Sequence, residues 1–280
     1  MDGILYINKQ QGLTSFDVVF KLRKILNTKS IGHSGTLDPN AEGVLIVLIG
    51  KYTKLLPYIN HDNKEYVATL SFGSKTDTLD IWGNVVDTKP VTPINKEDFS
   101  LVLNSFIGKQ TQIPPMYSAK KVNGKKLYEL ARTGEVIERK PIDIEVSNIE
   151  LLEFNPEIKI KTTVSSGTYI RTLIEDIGTK CNNYACMTSL IRTKIDKVSI
   201  DMALKLSDLK SDISLIKDPS DILNKDIETI NTDKVEDIKN GKRISIDCDS
   251  QLVLLKNNEE LLAVYEKVED NIYKCKRGLW

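Results

Sequence analysis

The chain has 280 residues, 40% of them hydrophobic and 28% charged, with 39 basic and 39 acidic side chains and a formal net charge of zero. That length suits one large domain plus a small one, and the charge balance excludes a crude polycation that binds nucleic acid by net charge alone. No run approaches 18 uninterrupted apolar residues and the start MDGILYINKQQG lacks the flanks of a signal peptide, so a cytoplasmic protein with no membrane span is expected.

Gly3 to Asn8 reads as a short strand. Thr14-Ser15-Phe16-Asp17 then opens a helix in which Val18, Val19, Leu22, Ile25 and Leu26 recur at helical spacing. Next comes the polar, glycine-punctuated stretch GHSGTLDPNAEGVL, Gly32 to Leu45, which feeds the apolar run Val44 to Ile49. Three glycines and a proline set its path, and Pro39 biases Asp38 away from helical geometry. On turn chemistry alone it is either an ordinary turn or a loop that presents one carboxylate.

Glu65 to Gly73 alternates as a half-buried strand, with Tyr66, Ala68, Leu70 and Phe72 on one side. Thr76 to Gly83 is a polar loop. Asn95-Lys96 starts a helix with Phe99, Val102, Leu103 and Phe106 on one face and Gly108 as its left-handed terminator. From Ser105 to Lys140 eight Lys/Arg face three acids, and Tyr117 and Tyr128 are interleaved with the lysines. Such a patch suits a folded RNA, with cations on phosphates and rings on exposed bases; tyrosines in a core and lysines in solvent would give the same letters.

Ile142 to Phe154 and Glu157 to Ser165 read as a hairpin across Asn155-Pro156. A helix follows Ser166-Gly167-Thr168-Tyr169-Ile170-Arg171, with Leu173, Ile174 and Ile177 facing inwards. Asp201 to Ile230 is acidic and helix-prone and is expected to bridge two domains; Ile244 to Ile246, Gln251 to Leu255 and Glu260 to Glu266 are strand-like, with a turn at Asn257-Asn258. Cys181, Cys186, Cys248 and Cys275, with His33 and His61, make no ligand set of zinc-finger spacing, so no metal is expected.

Several stretches, in order, resemble the TruB family of tRNA pseudouridine synthases. Gly32 to Leu45 is similar to the family's GHxGTLDPxAxGVL motif, Lys64-Glu65-Tyr66 to KxY, and Thr76 to Gly83 to TDTxDxxG. Gln112 to Arg132 resembles PPxYSAxKxxGxxxYxxAR, and Gly167 to Leu173 resembles GTYIRxL. Lys9 and Gly12 resemble a KPxG turn with Gln10 in place of proline, and Leu190 to Thr193 resembles LRRT with Ile191 in place of arginine.

The resemblance implies an α+β pseudouridine-synthase fold, a mixed and largely antiparallel sheet flanked by helices, over residues 1–228. A small PUA-like β domain over 229–280 would grip the acceptor end of tRNA. The implied activity is an isomerase that flips uridine 55 out of the T loop of tRNA and rejoins it as pseudouridine, without cofactor. Asp38 is the implied catalytic residue, paired with Arg171. Tyr66 would stack on the base, Tyr169 would line the pocket, and His33 would insert near the vacated position. Lys9, Asp80 and Lys121 complete the expected substrate-binding set, Asp80 by ordering its loop. The expected partner is the tRNA T-arm, met by a monomer without guide RNA or obligate protein partner. The rival reading is a non-catalytic RNA binder or tRNA-folding chaperone, which would have no need of Asp38.

Overall fold

The computed structural model describes residues 1–60, 62–122 and 124–280; His61 and Asn123 lie outside the described residues. The chain divides into two compact units, residues 1–61 with 196–280, and residues 62–195.

In the first unit the strands Gly3–Lys9 and Glu42–Ile49 pair antiparallel from Gly3 opposite Ile49 to Lys9 opposite Gly43. Ile31–Ser34 pairs antiparallel with the second of them. The helix Ser15–Ile25 lies over these strands for the reason its sequence suggests. Val18, Val19 and Leu22 are buried among Leu5, Ile7, Leu45, Val47 and Ile49, each buried side chain contributing roughly 1.5–3 kcal/mol. Thr14 caps the helix: the Asp17 amide donates to the Thr14 hydroxyl at 3.0 Å, and the Thr14 amide to the Asp17 carboxylate at 2.8 Å. The Thr14 hydroxyl, then its backbone amide, holds the Asp17 carboxyl below the usual range.

The expected helical bridge after Asp201 is not there. Among the described residues 201–230 there are short 3-10 turns at Ile200–Met202 and Leu206–Asp208 and brief strands at Leu204–Lys205 and Ile227–Asn231. This segment lies along the open edge of Gly3–Lys9: Leu204 and Lys205 pair parallel with Ile7 and Asn8, and Ile216 bridges to Ile4. Tertiary pairing has overridden local helix preference, because the edge strand's amides and carbonyls need partners.

The unit's second sheet has the order Ile227–Asn231, Leu252–Asn257, Glu260–Glu269, Ile272–Gly278, Ile244–Ser245. Its core, around Ile238, Val253, Leu255, Leu262, Tyr265 and Tyr273, is separate from the first. The turn at Asn257-Asn258 is present, with Asn258 at φ 53°. This is the small β domain that the resemblance implied.

The second unit is an antiparallel sheet in the order Ala185–Ile195, Asn63–Phe72, Ile158–Ser165, Ile142–Glu153, Gly108–Gln112. The helices Lys96–Asn104 and Ile170–Lys180 pack on it. Phe99 is fully buried, its ring 6.1 Å from Phe72 and 5.5 Å from Phe154. Gly178 lets the second helix approach Ala185, because a Cβ there would stand 2.5 Å from the Ala185 Cβ. One detail departs from expectation: the helix Lys96–Asn104 ends under Ser105, while Gly108, at φ 115°, opens the strand Gly108–Gln112 instead of terminating the helix.

Candidate active site

In the first unit the candidate nucleophile sits on a clasped loop. The Leu37 amide donates to the Ser15 hydroxyl at 3.0 Å, and that hydroxyl donates back to the Leu37 carbonyl at 3.4 Å. On the other side of Asp38 the Pro39 carbonyl accepts from the Gly12 amide at 2.9 Å and from the Lys9 ammonium at 3.1 Å. The Ala41 amide closes a turn on the Asp38 carbonyl at 3.1 Å. Both neighbours of Asp38 are therefore bonded to the stretch Lys9 to Ser15, which joins the first strand to the first helix. The Asp38 side chain is half-buried. The clasp fixes the backbone that carries the carboxylate, the kind of positioning a nucleophile or base requires.

Lys9 is fully buried and also donates to the carbonyls of Leu13 at 2.7 Å and Gln10 at 3.2 Å. Its ammonium serves the loop that carries Asp38. His33 lies in the strand Ile31–Ser34 opposite Val47 and is half-buried.

The second unit holds Tyr66, Asp80, Tyr169 and Arg171, and of these it brings Arg171 and Asp80 together. Arg171, 5% exposed, donates from Nη1 to the Thr78 carbonyl and from Nη2 to the Tyr117 carbonyl, both at 2.8 Å. Its Nη1 stands 3.8 Å from Asp80 Oδ2. Asp80 in turn accepts from the Thr78 hydroxyl at 2.7 Å and the Trp82 amide at 3.2 Å, bonds within its own loop. Main-chain bonds from Met187 to Leu79 and from Ile81 to Met187 fix that loop to the sheet, with Leu79 at φ 65°. Tyr169 caps the helix Ile170–Lys180, its amide donating to Gln112 Oε1 at 2.8 Å and its carbonyl accepting from Gln112 Nε2 at 3.1 Å. Tyr66 is 7% exposed in its strand, opposite Thr162 on one side and Arg192 on the other.

Lys121 stands elsewhere in that unit, exposed on the two-stranded hairpin Lys121–Val122 with Lys125–Lys126. The helix Leu127–Arg132 follows, and the Lys126 ammonium and Arg132 guanidinium each lie 5.4 Å from the Tyr128 ring. Sequence reasoning missed Gln112, whose two bonds hold the Tyr169 backbone, and the burial of Arg192 at 1% exposure. The composition of Gln112-Ile113-Pro114 gives no sign of the first. Nor does strand alternation show the second: Ala185, Met187, Ile191 and Ile195 fall on the side away from Arg192, and register shifts in the strand undo the alternation. Among the described residues no cluster of three or more His, Cys, Asp or Glu could hold a metal ion.

A family model described as TruB family pseudouridylate synthase (N terminal domain) matches residues 23–170. The chain belongs to that family. Its curated relatives include the tRNA pseudouridine synthase B of Lactobacillus acidophilus, 40% identical over 288 aligned residues that cover 98% of this chain and 97% of the relative. The protein of the same name from Fusobacterium nucleatum is 48% identical over 202 residues, 72% of this chain and 70% of the relative. Among solved structures, one described as an H/ACA RNP bound to a substrate RNA containing 2'-deoxyuridine superposes with a TM-score of 0.69 at 22% identity, covering 99% of this chain and 85% of that one. A Cbf5-Nop10-Gar1 complex superposes equally well at 21% identity, with the same coverage. These two likenesses bear on the fold, which is that of a pseudouridine synthase. The family makes the protein an isomerase of uridine.

Proposed function

We propose that the protein converts uridine 55 in the T loop of tRNA to pseudouridine, with Asp38 as the catalytic carboxylate. The observation that carries this reading is the clasp around Asp38, which binds both neighbouring residues and leaves the side chain half-buried. Substrate class follows the relatives, whose shared name is tRNA pseudouridine synthase B.

The reaction breaks the bond from ribose C1' to uracil N1, turns the base, forms a bond from C1' to C5, and moves the C5 proton off and a proton onto N1. Electrons balance without a redox partner, so the chemistry asks for no redox cofactor. Reaching the base means flipping it out, at a cost of a few kcal/mol. Stacking on aromatic rings offsets this by about 1–3 kcal/mol per base, and Tyr66 and Tyr169 supply the rings. His33 fills the position the base leaves. Arg171 ties the loops of Thr78 and Tyr117 together, and Asp80 orders the loop beside it. Lys9 acts through the Asp38 loop, and Lys121 meets phosphate on the T-arm.

The protein acts on tRNA as a monomer, without guide RNA or an obligate protein partner. Among the described residues no helix is long and apolar enough to cross a membrane, and a tRNA substrate suits a cytoplasmic protein.

The test is site-resolved pseudouridine mapping on an unmodified tRNA transcript incubated with purified protein alone and, in parallel, with Asp38→Asn. The expected result is a signal confined to position 55 with the wild type and none with the variant, while tRNA affinity changes by less than about threefold, under 1 kcal/mol. Tight tRNA binding with no pseudouridine from either protein would replace this reading by the RNA-chaperone one.

A further inference from the structure

The helix Ser15–Ile25 has two faces, and its packing uses one of them. Ser15, Val18, Val19 and Leu22 are buried. On another stripe Phe16 is 62% exposed and Phe20 49% exposed. Spaced four residues apart, their side chains are neighbours on the helix surface.

Cations on the same helix stand over both rings. The Arg23 guanidinium lies 5.9 Å from the Phe16 centroid and the Lys24 ammonium 4.6 Å from the Phe20 centroid. Lys21 and Lys24 are exposed, and Asp17, the helix's one acid, is engaged by Thr14 at the cap. Exposed rings flanked by basic groups suit a nucleic acid strand: phosphates meet the cations and bases lie on the rings. An apolar protein groove closing on the same face would have to desolvate those cations.

The stripe also starts at the candidate active site. Phe16 follows Ser15, whose hydroxyl bonds both the amide and the carbonyl of Leu37, the residue before Asp38. We infer that this face is a second contact surface for the substrate RNA, holding a strand that flanks the target uridine beside the Asp38 loop. The inference rests on the tRNA reading above.

Full-length protein carrying Phe16→Ala with Phe20→Ala, and separately Lys21→Gln with Lys24→Gln, tests it on an unmodified tRNA transcript. All four side chains are exposed and the replacements favour helix, and thermal melts check that the fold is kept. The aromatic pair is expected to raise Kd for tRNA about tenfold, equivalent to about 1.4 kcal/mol, with the rate at saturating tRNA unchanged. The lysine pair is expected to weaken binding and to lower the slope of log Kd against log salt by about one for each phosphate no longer neutralised. Unchanged Kd and salt slope in both variants, with an active wild type, overturn the surface and leave the tRNA reading intact. A wild type that neither binds nor modifies tRNA overturns the tRNA reading instead. Unchanged RNA affinity with an altered oligomeric state by light scattering assigns the face to protein contact and overturns the inference.

Discussion

Arg171 shows how much rests on the shape of one side chain. Its two terminal nitrogens reach carbonyls in two different loops, at Thr78 and at Tyr117, while Asp80 stands beside the same group. A lysine carries one nitrogen and cannot bridge both. Arg171→Lys therefore leaves a half-buried carbonyl without its charged donor, a loss of about 1–3 kcal/mol. The expected result is a fall in the calorimetric melting midpoint of roughly 3–8 °C together with a loss of pseudouridine formation. An unchanged midpoint would refute the tether. From sequence, an arginine near a helix start reads as a weak surface ion pair. The GTYIR resemblance singled out the residue, but not its carbonyl partners, because these lie on loops far away in the chain. Gln112 was invisible for the same reason.

At the scale of elements, what local chemistry decides was legible and what long-range pairing decides was not. The first helix announces itself by Thr14, Asp17 and the spacing of its apolar residues, and the structure begins it at Ser15 under a complete capping box. The hairpin of Ile142–Glu153 with Ile158–Ser165 was equally plain. The segment after Asp201 was misread because its composition favours helix, while Leu206 and Leu215 are drawn into the first core and Ile216 onto the edge strand. The strand Ile272–Gly278 escaped notice because it alternates lysines with single apolar residues. Packing between elements also reaches the chemistry. Ser15→Ala removes both bonds to Leu37 and strands a buried amide, costing about 1–3 kcal/mol. With one side of the clasp open, Asp38 loses its fixed orientation. The turnover number of Ser15→Ala is expected to fall about tenfold or more with KM for tRNA nearly unchanged, whereas Ser15→Thr, which keeps the hydroxyl, restores part of it. A rise in KM alone would contradict this account.

At the scale of the molecule, the described residues of the first unit include two hydrophobic cores that share no residue. One is built from residues between Leu5 and Leu215, the other from residues between Ile230 and Cys275. Between the C-terminal sheet and the rest of that unit, side-chain links include Lys51 with Glu260 and with the Leu261 carbonyl, and Lys54 with the Trp280 carbonyl. Exposed pairs of this kind contribute about 0–1 kcal/mol each. We propose that the functional division falls near residue 228, with catalysis before it and tRNA grip after it, as the resemblance implied. A chain of residues 1–225 keeps every member of the first core and every residue proposed to act on uridine. It is expected to melt cooperatively and to retain its turnover number within about threefold. Its KM for full-length tRNA should rise about tenfold, or about 1.4 kcal/mol, while KM for an isolated T-arm hairpin, which has no acceptor end to grip, stays the same. If KM rises equally for both RNAs, the C-terminal sheet supports the catalytic fold and does not hold the far end of the substrate. If neither KM moves, the sheet has no part in recognition.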